Sequence, residues 1–239
     1  MTNALIFAGG SGVRMNNAAK PKQFLQLYGK EIIIHTLEQF QNHQQIDAVC
    51  VVCIESWIGF LQGLVRQYGL SKVRWIVPGG KTGQESIFNG LSTLHEHCPI
   101  DSIVLVHDGV RPLVSGKLIS DCIESVKQYG SGIAVAPAIE TIVNLDKEDN
   151  ISGITDRSKC FYAKAPQGFV LKDLYGVHIE ARKKGSVNAI DSASLMHEYG
   201  YTLHTVPCSY ENIKITTPAD FYIFRALYDA RENSQVFGL

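Results

Sequence analysis

The sequence predicts a three-layer α/β fold around a mostly parallel sheet, and three observations carry that reading. Strand-like runs alternate with helical runs along most of the chain, which implies βαβ units. The strand-like runs are apolar at nearly every position, as in NALIFA (3–8), IDAVCVVCI (46–54) and SIVLV (102–106). That pattern suits a sheet covered on both faces. The chain has 239 residues, 45% hydrophobic and 19% charged, which is enough for a sizeable core and unlike a disordered chain, coiled coil or collagen. We therefore expect one domain over 1–239.

Residues 3–8 form the first expected strand, followed by a glycine-rich loop, and 46–54 form the second. Trp57, Leu61, Leu64, Val65 and Tyr68 then recur at helical spacing, with Ser56 placed as N-cap and Gly69 as the stop. A strand over 72–77 leads through PGG into a helix, where Thr82 and Glu85 have capping-box spacing. After the strand at 102–106 comes a helix with Leu118, Ile119, Cys122, Ile123 and Val126 on one face, ending at Gly130, and then a strand over 132–138. At 139–160 the pattern changes to two short β-prone pieces around LDKEDN. We expect a protruding hairpin there, either an arm to a second subunit or a surface flap. Helices near 171–184, 191–199 and 217–229 and a strand near 202–206 complete the pattern, with a frayed tail, RENSQVFGL.

Net charge is −1, so no general attraction to nucleic acid or to an anionic membrane follows. The longest apolar runs are far shorter than the roughly 18 residues of a membrane span, and MTNALIFAGG lacks the basic start of a secretory signal. We expect a cytoplasmic protein. Cys50 and Cys53 fall at i and i+3 of a strand, which sends their side chains to opposite faces. A shared zinc or a redox disulfide is therefore not expected there, and the cysteines read as reduced and buried.

Ligands of open α/β sheets bind beyond the carboxyl ends of the strands, so the segments after each strand carry the chemistry. AGGSGVRM (8–15) follows the first strand, and Arg14, Lys20 and Lys22 lie in or just after it. Glycines let backbone N–H groups approach phosphate closely, and cations suit a polyanion such as a triphosphate. Met15 stands where a dinucleotide-binding GxGxxG would need its third glycine, and no Gly-Lys follows as a P-loop requires. PGGKTGQES (78–86) offers Gly79 and Gly80 for close approach of a flat base, and Ser86 as a donor to base or ribose. VHDGVRPLV (106–114) places Asp108 and Arg111 just past a buried strand. Asp108 can bind a substrate hydroxyl or help hold a magnesium ion; Arg111 can pair with phosphate or brace Asp108. His107 is expected to be a structural hydrogen bonder. In ENIKITTPAD (211–220), Lys214 alternates with Ile213 and Ile215, which turns it toward the cleft if the segment is extended. Thr217 and Pro218 suit N-cap and N1 of the last helix.

Taken in order, AGGSGVRM, KPKQF (20–24), PGG…S, HDGVRP, DR (156–157), APQGF (165–169) and NIKITTP resemble one family. It is that of the 2-C-methyl-D-erythritol 4-phosphate and ribitol 5-phosphate cytidylyltransferases, and the resemblance spans nearly the whole chain. It implies a Rossmann-like nucleotidyltransferase fold and a homodimer built through the hairpin arm. It implies CTP on the loop of Ala8, Gly9, Gly10 and Gly12, with Arg14 and Lys22 on the triphosphate, Gly80 and Ser86 near the base or ribose, and Asp108 at the edge of the nucleotide site. The acceptor would meet Asp108, Arg111 and Lys214, and its phosphate would meet Arg157 and Thr141 of a partner's arm. Mg²⁺ is the implied cofactor, and the catalytic cations would be Arg14, Lys22 and Lys214.

Three positions depart from the family pattern. Ala165 stands where Thr is usual, Gly83 where Arg is common, and IDSAS (190–194) where erythritol enzymes read TDEAS, with Asp191 kept. The loop AGG, Val110 in HDGVRP and AIETIV (138–143) resemble the ribitol branch. The expected reaction is therefore cytidylyl transfer from CTP to D-ribitol 5-phosphate, giving CDP-ribitol for a cell-surface polymer, with 2-C-methyl-D-erythritol 4-phosphate as the alternative acceptor. A nicotinamide oxidoreductase, a uridylyl- or guanylyltransferase and a non-catalytic nucleotide-binding module are the competing classes. Met15 speaks against the first, and the set Arg14, Lys22, Asp108, Arg157 and Lys214 against the last.

Overall fold

The computed structural model describes residues 1–10, 20–186 and 188–237, the side chains of 234–237 excepted. Gly12 and Arg14 lie outside the described residues. Strands β1 (Thr2–Ala8), β4 (Ala48–Cys53), β5 (Val73–Pro78) and β6 (Ile103–Asp108) follow one another with helices between them, α1 (Ile32–Gln41), α2 (Ile58–Gln67) and α3 (Gly83–His97). A short hairpin, β2 (Gln26–Leu27) and β3 (Lys30–Glu31), precedes α1. Beyond β6 come α4 (Gly116–Tyr129), β7 (Ser131–Pro137), the hairpin β8 (Ile142–Leu145) and β9 (Ile151–Thr155), then β10 (Phe161–Val170). Helices α5 (Leu171–Lys183) and α6 (Ser192–Glu198), β11 (Thr205–Pro207) and α7 (Pro218–Phe237) complete the order.

Seven strands make the central sheet in the order β11-β7-β10-β6-β1-β4-β5. All neighbouring pairs are parallel except those of β10, which runs antiparallel to both β6 and β7. Strand periodicity divides the side chains between two cores. Ala4, Ile6 and Ala8 of β1 and Val49, Val51 and Cys53 of β4 face a core built with α1, α2 and α4. Leu5, Cys50 and Val52 face a core built with α3, α5 and α6. Cys50 and Cys53 thus sit on opposite faces, both buried and reduced, as their spacing implies. A third cluster, Leu27, Ile32, Val110, Leu113, Ile215 and Phe224, seats α7 beside the loop after β6.

Two elements carry no sequence signal of the usual kind. Helix α1 opens on Ile32-Ile33-Ile34, a β-branched run that reads as a strand, and its N-cap Glu31 makes no side-chain cap bond. Strand β10 contains Pro166, which has no N–H to give a ladder, and its pairing with β7 shifts register between Ala163 and Gln167. The APQGF motif therefore lies on an irregular strand in the middle of the sheet, not on a loop.

Three local expectations are corrected. Ser56 sits inside a 3-10 turn (Glu55–Trp57) and does not cap; Trp57 holds the N-cap position of α2, with no side-chain bond. Residues 213–216 form no strand, despite the alternation of Ile213, Lys214 and Ile215. The tail is not frayed through its length, because α7 continues to Phe237. Thr82 does cap α3, accepting from the Glu85 N–H at 3.1 Å, while the Glu85 carboxylate accepts from the Lys81 N–H at 2.7 Å. Gly69 (φ +62°) and Gly130 (φ +80°) stop their helices in the left-handed region that glycine adopts at little cost. Among the described residues no helix is long and apolar enough to cross a membrane.

Candidate active site

The carboxyl ends of β1, β4, β5 and β6 gather the motifs on one edge of the sheet. After β1, the buried Gln23 side chain donates to the Ala8 carbonyl at 2.7 Å and the Gly10 carbonyl at 3.3 Å. Gln23 lies in a 3-10 turn, Lys22–Phe24, whose Phe24 ring is fully buried and stacks on Trp57 at 4.8 Å. These two anchors fix the turn that carries Lys22 at the carboxyl end of β1. The glutamine of KPKQF is thus a positioning group.

After β5, Gly79 donates its N–H to Cys53 O at 2.8 Å and Gly80 donates to Ser86 Oγ at 2.9 Å. The Ser86 hydroxyl donates in turn to Thr82 O at 2.9 Å. The proton expected to reach a base or ribose is therefore committed to the loop's own carbonyl, and Ser86 shapes the PGG turn. A Cβ on Gly80 would stand 2.7 Å from Glu85 Cβ, so only glycine fits against the start of α3.

After β6, Asp108 sits between two cations. Its Oδ2 accepts from Arg111 Nε at 2.8 Å and its Oδ1 from Lys214 Nζ at 2.6 Å. Burial acts to raise the Asp108 carboxyl, but Lys214 and Arg111 outweigh it and hold the group at about 2. Both oxygens are engaged by cations, and among the described residues no three His, Cys, Asp or Glu side chains group as metal ligands. Asp108 does not fit a metal-ligand role. Arg111 is buried and braces Asp108, and its Nη1 donates to Asn212 O at 2.9 Å. Asn212 Nδ2 donates to Ala165 O at 2.6 Å, and the Ile215 N–H donates to Val110 O at 2.9 Å. These bonds lay NIKIT along HDGVRP and carry Lys214 to Asp108 although the segment is not a strand. His107 is structural, as expected: its Nε2–H donates to Arg111 O at 3.2 Å, and desolvation brings it down to about 4, so it stays neutral.

A cleft of about 270 Å³ opens against this ion triad. Asp108, Arg111 and Lys214 line it, and so do Gly83, Ala165 and Asp191, the three positions where the sequence departs from or marks the family pattern. Four further lining residues are not singled out by the sequence, although Gln84 falls inside PGGKTGQES and Gln167 inside APQGF. Gln84 donates to Ser186 O at 2.9 Å and accepts from the Ala189 N–H at 2.8 Å. Gln167 donates to Asp191 Oδ2 at 2.8 Å and accepts from the Ala193 N–H at 3.0 Å. Lys164 rests its ammonium on the Tyr210 carbonyl at 3.2 Å and over the Tyr210 ring. His178 reaches the wall from α5. Lys164, Gln167 and His178 became site residues only when β10 and α5 were brought to the same edge as α3, which carries Gln84.

Thr141 and Arg157 do not line the cleft of their own chain. Arg157 is exposed on the arm and donates to Ile139 O at 2.9 Å. Around it the arm exposes Ile139, Val143, Leu145, Ile151, Ile154, Phe161 and Tyr162.

A cation-flanked carboxylate after β6, a mostly parallel sheet with one reversed strand and a glycine-rich sequence after the first strand fit the class of nucleotidyltransferases. The particular family follows from comparison. The family model of 2-C-methyl-D-erythritol 4-phosphate cytidylyltransferase (IspD) matches residues 2–229, and the chain belongs to this family. It is 52% identical over 238 residues to a ribitol-5-phosphate cytidylyltransferase of Vibrio parahaemolyticus, covering both chains fully. It is 50% identical over 239 residues to the enzyme of that name from Streptococcus agalactiae serotype V, again over both full lengths. A 2-C-methyl-D-erythritol 4-phosphate cytidylyltransferase of Bacillus licheniformis is 35% identical over 97% of each chain. Among solved structures, the 4-diphosphocytidyl-2C-methyl-D-erythritol synthase of Anaerococcus prevotii superposes with a TM-score of 0.82 at 25% identity, covering 95% of this chain and 96% of that one.

Proposed function

We propose that this chain transfers the cytidylyl group of CTP to D-ribitol 5-phosphate, giving CDP-ribitol and pyrophosphate. The observation that carries the reading is the cleft itself: Arg111, Lys164 and Lys214 line it with Asp108 and Asp191, an excess of positive charge suited to a phosphorylated acceptor. The full-length likeness to ribitol-5-phosphate cytidylyltransferases supports the choice of acceptor.

An oxygen of the acceptor phosphate attacks the α-phosphorus of CTP in line. The new P–O bond forms as the bond from the α-phosphorus to the bridging oxygen breaks, and pyrophosphate departs with the electron pair. A phosphate monoester loses its second proton near ~6, so the nucleophile is already charged at neutral pH and needs no general base. His107, neutral and bonded to Arg111 O, is not placed to act as one. The protein's task is to hold two polyanions together and stabilise the charge that develops. Arg14 and Lys22 serve the triphosphate, Gly9, Gly10, Gly12 and Gly80 let the nucleotide come close, and Lys214, held by Asp108, serves the acceptor. Mg²⁺ enters with CTP as part of the substrate. Thr141 and Arg157 reach the acceptor phosphate of a second subunit through the arm, so the working unit is a homodimer. The product is an activated alditol for a cell-surface polysaccharide.

The test is pyrophosphate release with CTP and Mg²⁺, comparing D-ribitol 5-phosphate with 2-C-methyl-D-erythritol 4-phosphate. Higher kcat/KM with the ribitol compound is expected; the opposite preference would overturn the acceptor assignment. Lys22→Ala should lower turnover by about 10²–10³-fold, in line with the loss of one charge-stabilising donor.

A further inference from the structure

The lining of the cleft also holds two buried polar side chains without a hydrogen-bond partner among the described residues. His178 on α5 is 1% exposed and Ser192 at the start of α6 is 2% exposed. Neither ring nitrogen of His178 nor the Ser192 hydroxyl has a hydrogen-bond partner among the described residues. Both line the cleft. A buried polar group left without a partner is costly, and native proteins keep few of them. Two in the lining of one cavity point to a ligand that supplies the missing bonds.

The chemistry of the wall selects among ligand groups. Desolvation, with Arg182 nearby, brings His178 down to about 4, so its ring is neutral and carries one donor and one acceptor. A serine hydroxyl also donates and accepts. Asp191, next to Ser192, lines the cleft as a carboxylate and would repel a phosphate. The cations Arg111 and Lys214 lie at the triad instead. Alcohol hydroxyls, which donate and accept alike and carry no charge, match the wall. Resting on the acceptor reading above, we propose that His178 and Ser192 form a hydroxyl-reading subsite that binds the polyol chain of the acceptor, while the triad side takes its charged end. The His178 ring neighbours Phe88 at 6.3 Å between centroids, and Arg182 lies over the same Phe88 ring.

The test uses the full chain with CTP, Mg²⁺ and two acceptor types: D-ribitol 5-phosphate and the set of monodeoxy-ribitol 5-phosphates. Ser192→Ala and His178→Phe should each raise the acceptor KM by about 5–10-fold, the scale of one lost neutral hydrogen bond, with the KM for CTP within about twofold. At least one monodeoxy acceptor should show the same loss with the unsubstituted enzyme and no further loss with Ser192→Ala, the signature of a direct pair. Because the hydroxyl has no partner to lose, Ser192→Ala should melt no lower than the parent. An unchanged acceptor KM, or an equal loss with every deoxy acceptor, would overturn the subsite and leave the reaction intact. Absence of turnover of D-ribitol 5-phosphate by the parent enzyme would overturn the acceptor reading instead. If His178→Phe fails to fold, Ser192→Ala decides alone.

Discussion

Asp108 shows at the residue scale how burial and charge divide the work. Its carboxylate lies between Arg111 and Lys214, which keep it ionised to about pH 2 despite its burial. Because its folded value lies below the usual 3.8, the stabilisation is complete above pH 4 and is lost as pH falls from 3.8 through about 2. That loss amounts to about 2 kcal/mol. His107 and His178, both held near 4 instead of 6.5 by desolvation, act one window higher. The unfolded chain takes up their protons first, so stability falls as pH drops from 6.5 to 4. Urea unfolding followed from pH 7 to pH 2.5 should show both declines. Asp108→Asn should remove the lower one, cost ~3–5 kcal/mol at pH 7 by leaving two cations without a counter-charge, and abolish most turnover. An unaltered urea midpoint in that variant would show that the triad is not structural. The motif HDGVRP was legible in the sequence as chemistry, but whether Arg111 faced phosphate or carboxylate was not. That choice depended on Asn212, a residue a hundred positions away whose carbonyl holds the guanidinium.

Helices and strands meet closely where glycine allows it. On β7, a Cβ at Gly132 would stand 2.7 Å from the Cys122 carbonyl oxygen of α4, a backbone atom that cannot swing aside. Gly132→Ala should therefore force α4 off the sheet and cost about 1–3 kcal/mol, read as a lower urea midpoint with an unchanged slope. Elements with local signals were the easy ones: α3 has its Thr82 cap, α4 its Ser115 cap and left-handed Gly130, and β1, β4 and β6 their unbroken apolar runs. Helix α1 escaped because Ile32, Ile33 and Ile34 are β-branched, and tertiary packing against the sheet overrides that preference. Strand β10 escaped because Pro166 breaks the ladder. What holds it in the sheet is the non-local pairing of Gln167, Gly168 and Phe169 with both β6 and β7.

At the scale of the whole molecule the arm is the unfinished part. Its Ile151 and Ile154 are 64% and 72% exposed, and a hairpin of two short strands has no core of its own. Such a surface suits a second copy of the chain, whose site would then receive Thr141 and Arg157. Sedimentation should give a dimer, and Ile154→Asp should shift it toward monomer and lower activity in parallel. A fully active monomer would show that the cleft needs nothing from a neighbour. Arg157→Ala, which leaves the apolar face alone, should lower activity without changing the oligomeric state.

The sequence by itself determined the α/β layering, the order of the motifs and their place at the ends of strands. Each of these depends on local periodicity and on glycine, proline and capping residues acting on near neighbours. The composition of the cleft was decided by the tertiary structure. Lys164 and His178 carry no local pattern of function, Gln167 and Ser192 have only their place in APQGF and IDSAS, and the four share a site only because β10 runs backwards through the sheet and brings α5 and α6 to the edge where β6 ends. Long-range pairing of that kind is set by the burial of whole faces against one another, which no window of neighbouring residues records.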